Sequence, residues 1–152
     1  MAPSYLNKIA DGSNAYPDGG NVTPFNPETG SQHVIIIDDQ ATGRAILESI
    51  VKKISPQINC QPFADPLEAL EQCRKRPPDL LITDYRMPIM DGVEVIRRFR
   101  NLHGCSDIPV VVVTIVEDRE VKYTALEAGA TDFLTRPFDH YECQARCKNL
   151  LQ

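Results

Sequence analysis

The stretch from residue 80 to residue 92 constrains the fold of this chain more than any other. A short run, Leu-Leu-Ile-Thr, begins two residues after Pro78 and ends at a carboxylate, Asp84. Such runs are typical of a strand buried on both faces of a parallel sheet. Asp84 would then stand at the carboxyl end of the strand, where open α/β sheets bind their ligands. An aspartate that only caps a strand or begins a turn is the alternative interpretation.

Three other predicted strands also end at polar side chains. They are residues 34–37, 108–113 and 131–134, and they end at or near Asp38 and Asp39, Thr114, and Arg136 respectively. The remaining predicted strand, residues 57–63, ends at Phe63 with no comparable group. Because the carboxyl ends of parallel strands share one edge of a sheet, this pattern favours a site over a simple strand cap.

Helical signals fill the intervals between the strands. The predicted helices are residues 42–55, a segment that begins at Asp65, residues 93–102, residues 118–128, and a segment from Asp139 to the chain end. Capping boxes of the Asp-x-x-Glu type open three of them, at Asp65, Asp91 and Asp139. Alternating strands and helices with short connections predict an α/β, doubly wound, flavodoxin-like fold. We expect a five-stranded parallel sheet in the order 2-1-3-4-5, five helices, and a crevice where strands one and three meet.

Composition excludes several classes of protein. The net charge of −5 argues against nucleic-acid binding and against an anionic membrane surface. The longest apolar stretch, residues 109–116, is too short to span a bilayer, and no signal peptide opens the chain. Five cysteines without a Cys-x-x-Cys pair indicate a reducing, cytoplasmic location.

The first 32 residues differ from the remainder. They are rich in glycine, proline and asparagine and have no apolar periodicity, which is typical of a linker or tail. We therefore expect a flexible N-terminal extension over residues 1–32 and a folded domain over residues 33–152.

His140, Cys143 and Cys147 are candidates for a second site, because their spacing could place them on one helical face. Thiols on helices are more often packing residues than metal ligands. Packing is therefore the preferred interpretation of these cysteines.

The side chains at the strand ends suit phosphoryl chemistry. Asp38, Asp39 and Asp84 would repel one another unless a cation neutralised them, and oxygen ligands suit Mg²⁺. The Thr114 hydroxyl and the Arg136 cation could stabilise phosphoryl oxygens, and a carboxylate such as Asp84 can form an acyl phosphate. No glycine-rich loop follows the first strand, and no histidine is expected in the crevice. The phosphoryl donor should therefore be external.

From His33 to Gln152 the chain resembles the receiver domain of two-component response regulators. The matching pieces are Asp38-Asp39, Asp84 with Met87-Pro88-x-Met90-Asp91-Gly92, Thr114, Gly129-Ala130-x-Asp132-Phe133, and Arg136-Pro137-Phe138. The resemblance implies that Asp84 accepts phosphate from a sensor histidine kinase or phosphotransfer domain. It implies that Asp38, Asp39, Asp84 and the backbone carbonyl of Arg86 hold Mg²⁺. It also implies that Thr114 and Phe133 form the switch pair.

Arg136 departs from the family, in which lysine is usual before the proline. Arginine is longer than lysine, planar and bidentate. The resemblance therefore does not carry over the family's usual geometry of phosphate binding or its usual speed of activation. An atypically regulated, stand-alone receiver that acts by protein–protein interaction is therefore kept as an alternative. The resemblance further implies a cis peptide bond between Arg136 and Pro137.

A finer resemblance concerns the surroundings of the site. Residues 38–44, 117–121 and 129–137 resemble receivers fused to HD-GYP domains, which hydrolyse cyclic di-GMP, in regulators of quorum sensing. The HD-GYP part is absent, and the chain ends where the last receiver helix should end. We therefore expect an excised domain whose parent is a cyclic di-GMP phosphodiesterase.

Partner surfaces follow from the same resemblance. A kinase should contact Ala41, Arg44, Ala45 and Phe138 on the rim of the crevice. An output domain or protein should contact the fourth helix, fifth strand and fifth helix, and the resemblance also allows a homodimer.

Two other classes of function agree less well with the sequence. An aspartyl-nucleophile phosphatase would need an acid two residues after Asp84, where this chain has Arg86. A nucleotide- or flavin-binding module would need a glycine-rich turn after the first strand, where this chain has two aspartates. The receiver interpretation is therefore preferred.

Overall fold

Strands and helices alternate along the part of the chain that the computed structural model describes, residues 31–115 and 119–152. The strands are β1 (Gln32–Ile37), β2 (Ile58–Phe63), β3 (Leu80–Asp84), β4 (Val110–Thr114) and β5 (Asp132–Thr135). The helices are α1 (Ala41–Lys52), α2 (Pro66–Lys75), α3 (Gly92–Arg100), α4 (Arg119–Ala128) and α5 (His140–Leu150). The predicted extension over residues 1–32 lies, up to residue 30, outside the described residues.

All five strands form one parallel sheet in the order β2-β1-β3-β4-β5. The predicted flavodoxin-like fold and strand order are thereby confirmed. Ile37 pairs with Thr83, and Asp84 pairs with Val113, so β1, β3 and β4 end at the same edge. The residues that follow these strands are therefore brought to one crevice.

The sheet separates two apolar cores, because its central strands are buried on both faces. One core packs β-strand residues such as Ile35, Leu81 and Val112 against α2, α3 and α4. The other packs Ile36 and Ile82 against α1 and α5. Among the described residues no helix has the length and apolar composition needed to cross a membrane.

β1 begins earlier than the apolar pattern predicted. It starts at Gln32, whose side-chain amide donates to the carbonyl of Leu151, and the His33 N–H donates to the Asp79 carboxylate at 2.7 Å. These tertiary hydrogen bonds extend the strand through two polar residues. Hydrophobic periodicity alone cannot indicate such an extension.

β4 begins later and ends later than predicted, at Val110 and Thr114 instead of residues 108 and 113. Pro109 lacks a backbone N–H, although its carbonyl accepts a hydrogen bond from the Leu81 N–H at 3.0 Å. β5 is likewise displaced by one residue, to Asp132–Thr135.

The helix boundaries also differ from the prediction by a few residues. α1 ends at Lys52 instead of residue 55, and α3 covers Gly92–Arg100 instead of residues 93–102. The predicted first residue of α4, Asp118, lies outside the described residues.

The predicted capping boxes form only in part. Each N-cap aspartate, Asp65, Asp91 and Asp139, accepts a hydrogen bond from a backbone N–H in the first turn of its helix. The carboxylates of Glu94 and Glu142 instead accept from the arginines four residues on, Arg98 and Arg146. These helices therefore begin at the predicted caps but gain i,i+4 ion pairs in place of the reciprocal bond.

Candidate functional site

Three carboxylates meet at the carboxyl edge of the sheet. One oxygen from each of Asp38, Asp39 and Asp84 lies within 4.8 Å of the others. Asp38 and Asp39 follow β1, and Asp84 is the last residue of the neighbouring β3. The Asp38 side chain is fully buried and Asp84 is 6% exposed, so little water screens their negative charges.

The surroundings of the Asp84 carboxyl disfavour its charged form. Burial raises its pKa to about 6, and the negative charge of Asp38 acts in the same direction. Arg136 and the backbone N–H of Tyr85 oppose this rise in pKa without cancelling it. The environment of Asp84 therefore favours the neutral carboxyl over the charged one.

Gly92 fixes the backbone around Asp84. Its N–H donates to the carbonyl of Tyr85 at 2.7 Å, and a Cβ at this position would lie 2.7 Å from the carbonyl oxygen of Asp84. Only glycine allows the first residue of α3 to approach the end of β3 this closely. The Asp91-Gly92 pair, predicted as a turn signal, thus also positions the end of β3.

Asp38 uses both of its carboxylate oxygens in hydrogen bonds. Oδ1 accepts from the Gln40 N–H at 2.9 Å, and Oδ2 accepts from Nη2 of Arg136 at 2.6 Å. The backbone carbonyl of Asp38 accepts from Nη1 of Arg44 at 2.9 Å. Arg44, predicted as a kinase contact, therefore also stabilises the β1–α1 turn.

Arg136 follows β5 and reaches back to the start of the crevice. Its N–H donates to the carbonyl of Thr114 at 2.7 Å, and its peptide bond to Pro137 is cis, which confirms that prediction. The guanidinium is 24% exposed and pairs with the fully buried Asp38. The guanidinium of Arg136, which was predicted near the end of β5, thus lies in the site and forms an ion pair with Asp38.

Gly43, in the first turn of α1, is a site residue that sequence reasoning missed. A Cβ here would lie 2.1 Å from Oδ2 of Asp38 and 3.1 Å from Nη2 of Arg136. The available signal was a glycine inside a predicted helix, where alanine is a better helix former.

Thr114 and Phe133 lie on neighbouring strands at the same face of the sheet. Thr114 is buried at the end of β4, and Phe133 is the register partner of Val112, two residues before Thr114. Because alternate residues of a strand share a face, both side chains point toward α3 and α4. Phe133 is half-buried against the core on that face. Their role as a switch pair stays a prediction.

The donor set fits a hard divalent cation. Three carboxylates offer oxygen ligands at close spacing, and burial together with the negative charge of Asp38 raises the pKa of Asp84, which a bound cation would counteract. In residues 31–115 and 119–152 this is the one such group of potential metal ligands. Arg86 is exposed in the turn after β3, and the role of its carbonyl stays a prediction.

The alternative cluster in α5 does not form a site in the described residues. Cys143 and Cys147 are fully buried in the core under α1 and α5, whereas His140 is exposed. The histidine and the thiols thus lie in different environments, and packing is the role of the cysteines.

An apolar groove of about 590 Å³ adjoins the carboxylates. It is lined by Gln40, Thr42, Gly43, Ile46, Ile115, Arg136, Pro137, Phe138 and His140. Phe138, predicted as a contact at the rim of the crevice, lies in this lining. Ile46 also lines the groove and is 39% exposed, although the helical pattern grouped it with core residues. Ala41, Arg44 and Ala45 lie outside the lining.

Comparisons with known proteins agree with this geometry. Residues 34–148 match the response regulator receiver domain family. The chain is 46% identical over 120 residues to the cyclic di-GMP phosphodiesterase response regulator RpfG of Xanthomonas campestris pv. campestris, covering 79% of this chain and 32% of that protein. It is 35% identical over 123 residues to the response regulator MprA of Mycobacterium ulcerans, covering 80% of this chain and 51% of that protein.

Solved structures show the same fold. The chemotaxis response regulator CheY4 of Vibrio cholerae superposes with a TM-score of 0.73 at 25% identity, covering 80% of this chain and 99% of that chain. The signal receiver domain of a signal transduction histidine kinase from Syntrophus aciditrophicus gives 0.71 at 29% identity, covering 80% and 90%. With the family match over residues 34–148 and the carboxylates gathered at the strand ends, this chain belongs to the receiver domains of two-component response regulators.

Proposed function

We propose that Asp84 is the phosphoryl acceptor of this receiver domain. The observation that carries the proposal is the gathering of Asp38, Asp39 and Asp84 within 4.8 Å at the crevice between β1 and β3. An Oδ atom of Asp84 attacks the phosphorus of a phosphohistidine, and the phosphorus–nitrogen bond breaks. The histidine nitrogen keeps the electron pair and takes up a proton, which leaves an acyl phosphate on Asp84.

Receiver domains generally bind Mg²⁺. We assign the cation to Asp38, Asp39, Asp84 and the backbone carbonyl of Arg86. When bound, it would neutralise the negative charge that otherwise repels an incoming phosphoryl group. The Thr114 hydroxyl is suited to donate to a phosphoryl oxygen, and Arg136 is suited to neutralise another.

Labelling by a small phosphodonor tests this assignment. The chain should take up one phosphoryl group from acetyl phosphate in the presence of Mg²⁺, and Asp84→Asn should abolish the uptake, as measured by intact-protein mass spectrometry. Asp91→Asn is the matched control, because it makes the same chemical change at an exposed N-cap where asparagine is equally suitable. Uptake by Asp84→Asn at the parent's level would remove Asp84 as the acceptor.

A receiver domain interacts with a histidine kinase or phosphotransfer domain and with an output domain. We propose that the donor covers the groove beside Arg136 and the adjoining face of α1. The groove is largely apolar, and one of its lining residues, Arg136, donates a hydrogen bond to Asp38. Ala41 and Ala45 are exposed on the same helix, next to the groove residues Thr42 and Ile46.

A negative charge placed on the exposed face of α1 should distinguish docking of the kinase from the phosphorylation reaction itself. Ala45→Asp should slow phosphotransfer from the cognate kinase about tenfold or more, since burying an unpaired charge at an interface is costly. Labelling by acetyl phosphate should be unchanged, because that donor needs no docking surface. Ser49→Asp, one turn further along the exposed side of α1, is the control. Equal slowing by both variants, or loss of acetyl phosphate labelling, would contradict the docking proposal.

The output is proposed from the relative RpfG, of which this chain spans about a third. We propose that phosphorylation alters the surface formed by α4, β5 and α5 and thereby controls a cyclic di-GMP phosphodiesterase domain. Hydrolysis of cyclic di-GMP by the intact parent protein, compared with its Asp84→Asn variant, tests this output. A cytoplasmic location is supported by five buried, free cysteines, which suit a reducing compartment.

A further inference from the structure

The apolar groove beside the carboxylates has the size of a ligand site. Its volume of about 590 Å³ falls within the range of about 300–1,000 Å³ that is usual for such sites. Ile46 and Ile115 in its lining are 39% and 63% exposed, so they offer apolar surface to whatever covers the groove. A second recess at the same edge of the sheet, between Asp39 and the start of α2, measures only about 270 Å³. Of these two openings, the groove is the one that can take several side chains.

The charge next to the groove is negative. Arg136, in the lining, pairs with Asp38 at 2.6 Å, and within residues 31–115 and 119–152 this is the one ion pair that involves a carboxylate of the site. Gln40, also in the lining, directly follows Asp39. The groove therefore suits an apolar segment that carries a cation, which the carboxylates of Asp39 and Asp84 would attract.

The beginning of the chain has this chemistry. Three large apolar side chains lie there within five consecutive residues, namely Tyr5, Leu6 and Ile9, and Lys8 stands among them. Lys8 is the one lysine or arginine of residues 1–30, and the acidic residues of that stretch all follow Ile9. The segment 5–9 thus combines the apolar surface and the positive charge that the groove and its neighbouring carboxylates call for.

The chain is long enough to bring this segment to the groove. The groove lies at the carboxyl edge of the sheet, whereas β1 begins at the opposite edge and its six residues cover about 20 Å. Residues 10–30 can span up to about 70 Å in extended form. Because the segment belongs to the same chain, its effective concentration at the groove is about millimolar, so even a modest intrinsic affinity produces substantial docking.

We propose that residues 5–9 of this chain dock in the groove, with their apolar side chains against its lining and Lys8 beside Asp39 and Asp84. The docked segment covers the surface assigned above to the phosphodonor and slows phosphotransfer until the donor displaces it. The effect on phosphotransfer rests on the proposed function, whereas the docking itself does not.

A nitroxide attached near this segment tests the docking in the full chain. Because the five native cysteines are buried, Ser4→Cys supplies the thiol that reacts with the spin label. The amide NMR resonances of Ile46 and Phe138 should lose intensity and regain it when the nitroxide is reduced. Ala64 and Ile89, which line the second recess at the same edge, should keep their intensity. No loss should occur when spin-labelled chain without isotope enrichment is mixed with isotope-labelled parent.

Substitutions in the segment separate its apolar contacts from its charge. Leu6→Asp should abolish the loss of intensity at the groove, because it would bury a carboxylate in an apolar site beside other carboxylates. Asn14→Asp adds the same charge outside the segment and should preserve the loss. Lys8→Gln should reduce the loss, and Lys8→Arg should restore it. If the groove is covered in about four molecules of five, Leu6→Asp should also accept phosphate from the cognate kinase about fivefold faster.

Each outcome bears on one part of the proposal. No loss at the groove, an equal loss at the second recess, or a loss that persists in Leu6→Asp would overturn the docking. A loss seen only in the mixed sample would assign the occupant to a second copy and overturn docking within one chain. A kinase rate unchanged by Leu6→Asp would overturn the regulatory role. Failure of acetyl phosphate to label Asp84 would overturn the proposed function alone, since the spin-label measurement needs no phosphorylation.

Discussion

At the scale of single residues, the charged Asp84 carboxylate destabilises the fold. The carboxyl lies at the end of a buried strand beside Asp38, and its pKa is raised to about 6 first by burial and then by that neighbour. A carboxyl group whose pKa is raised by burial in the folded protein destabilises the fold at a pH where the group is charged. The fold is therefore stabilised when the charge of Asp84 is removed or neutralised.

Asp84→Asn should stabilise the metal-free protein in a pH-dependent way. The pKa rises from 3.8 to about 6, so the destabilisation is fully present above the folded pKa and lost as the pH falls toward 3.8. We expect the free energy of unfolding to increase by about 2–3 kcal/mol near about pH 7.5 and by about 1 kcal/mol near about pH 4.5. Urea denaturation in the presence of EDTA measures both values. Asp91→Asn should change neither, and a pH-independent gain would contradict the stated cause.

The residues of the site were predictable from sequence to different degrees. Asp38, Asp39 and Asp84 follow or end apolar runs, and parallel strands bring such positions to one edge whatever the details of packing. Gly43 gave only a weak signal, because its role depends on where the Arg136 side chain turns. That path is set by tertiary contacts between residues far apart in the sequence and leaves no local pattern in the chain.

At the scale of elements, Arg100 joins the end of α3 to the segments that precede β4 and β5. Its guanidinium donates to the carbonyls of Cys105, Ile108 and Gly129, and lies 5.7 Å from the ring centroid of Phe99. Burial lowers the pKa of this side chain, although the group keeps its charge at neutral pH. The end of α4 is thus held by a side chain from the neighbouring helix.

Replacing Arg100 should loosen these turns together. Arg100→Ala leaves three carbonyls without their charged donor, and we expect the free energy of unfolding to fall by about 2–4 kcal/mol. Arg97→Ala in the same helix is the control, because Arg97 is exposed and its nearest carboxylate, Glu94, is 4.0 Å away, so the loss should stay below about 1 kcal/mol. Urea denaturation compares the two. Equal losses would show that Arg100 contributes only as a surface charge.

The identities of the elements were predictable, and their ends less so. Apolar periodicity and the aspartate caps indicated every strand and helix of the described residues. The ends of β1 and β4 depend instead on tertiary partners, such as the Asp79 carboxylate that receives the His33 N–H. A local pattern cannot contain a hydrogen bond to a residue 46 positions away.

At the scale of the whole molecule, the site is connected to the surface formed by α4, β5 and α5. Thr114 ends the strand beside β5, and Phe133 lies on β5 with its side chain half-buried. Leu126 on α4 and Tyr141 on α5 are exposed on the outside of these elements. A ring that repacks when the Thr114 hydroxyl moves toward phosphate would change this surface.

Thr114→Ala should separate phosphorylation from the change at this surface. With beryllofluoride as a phosphate mimic, the parent should show amide NMR shifts throughout residues 119–150, and Thr114→Ala should show shifts at least about fivefold smaller there. Shifts around Asp84 should persist in both. Thr124→Ala is the control, because its hydroxyl bonds only within α4, to the Glu120 carbonyl at 2.7 Å. Shifts of parental size in Thr114→Ala would transfer the triggering role to Arg136.

The topology was predictable as a whole, because right-handed crossovers between parallel strands leave few arrangements for an alternating chain. The ion pair between Arg136 and Asp38 was not predictable from the sequence. Arg136 pairs with Asp38 in the space left beside Gly43, and no local pattern in the chain indicates which of several nearby carboxylates a side chain after β5 will reach.

The ion pair between Asp38 and Arg136 joins residues 98 positions apart in the chain. Synthesis on the ribosome produces Asp38, Asp39 and Asp84 long before Arg136 exists. A nascent or truncated chain that lacks β5 therefore has the acceptor but cannot assemble the cation beside it. The carboxylates at the strand ends thus gain their arginine only when the last strand of the sheet has been made.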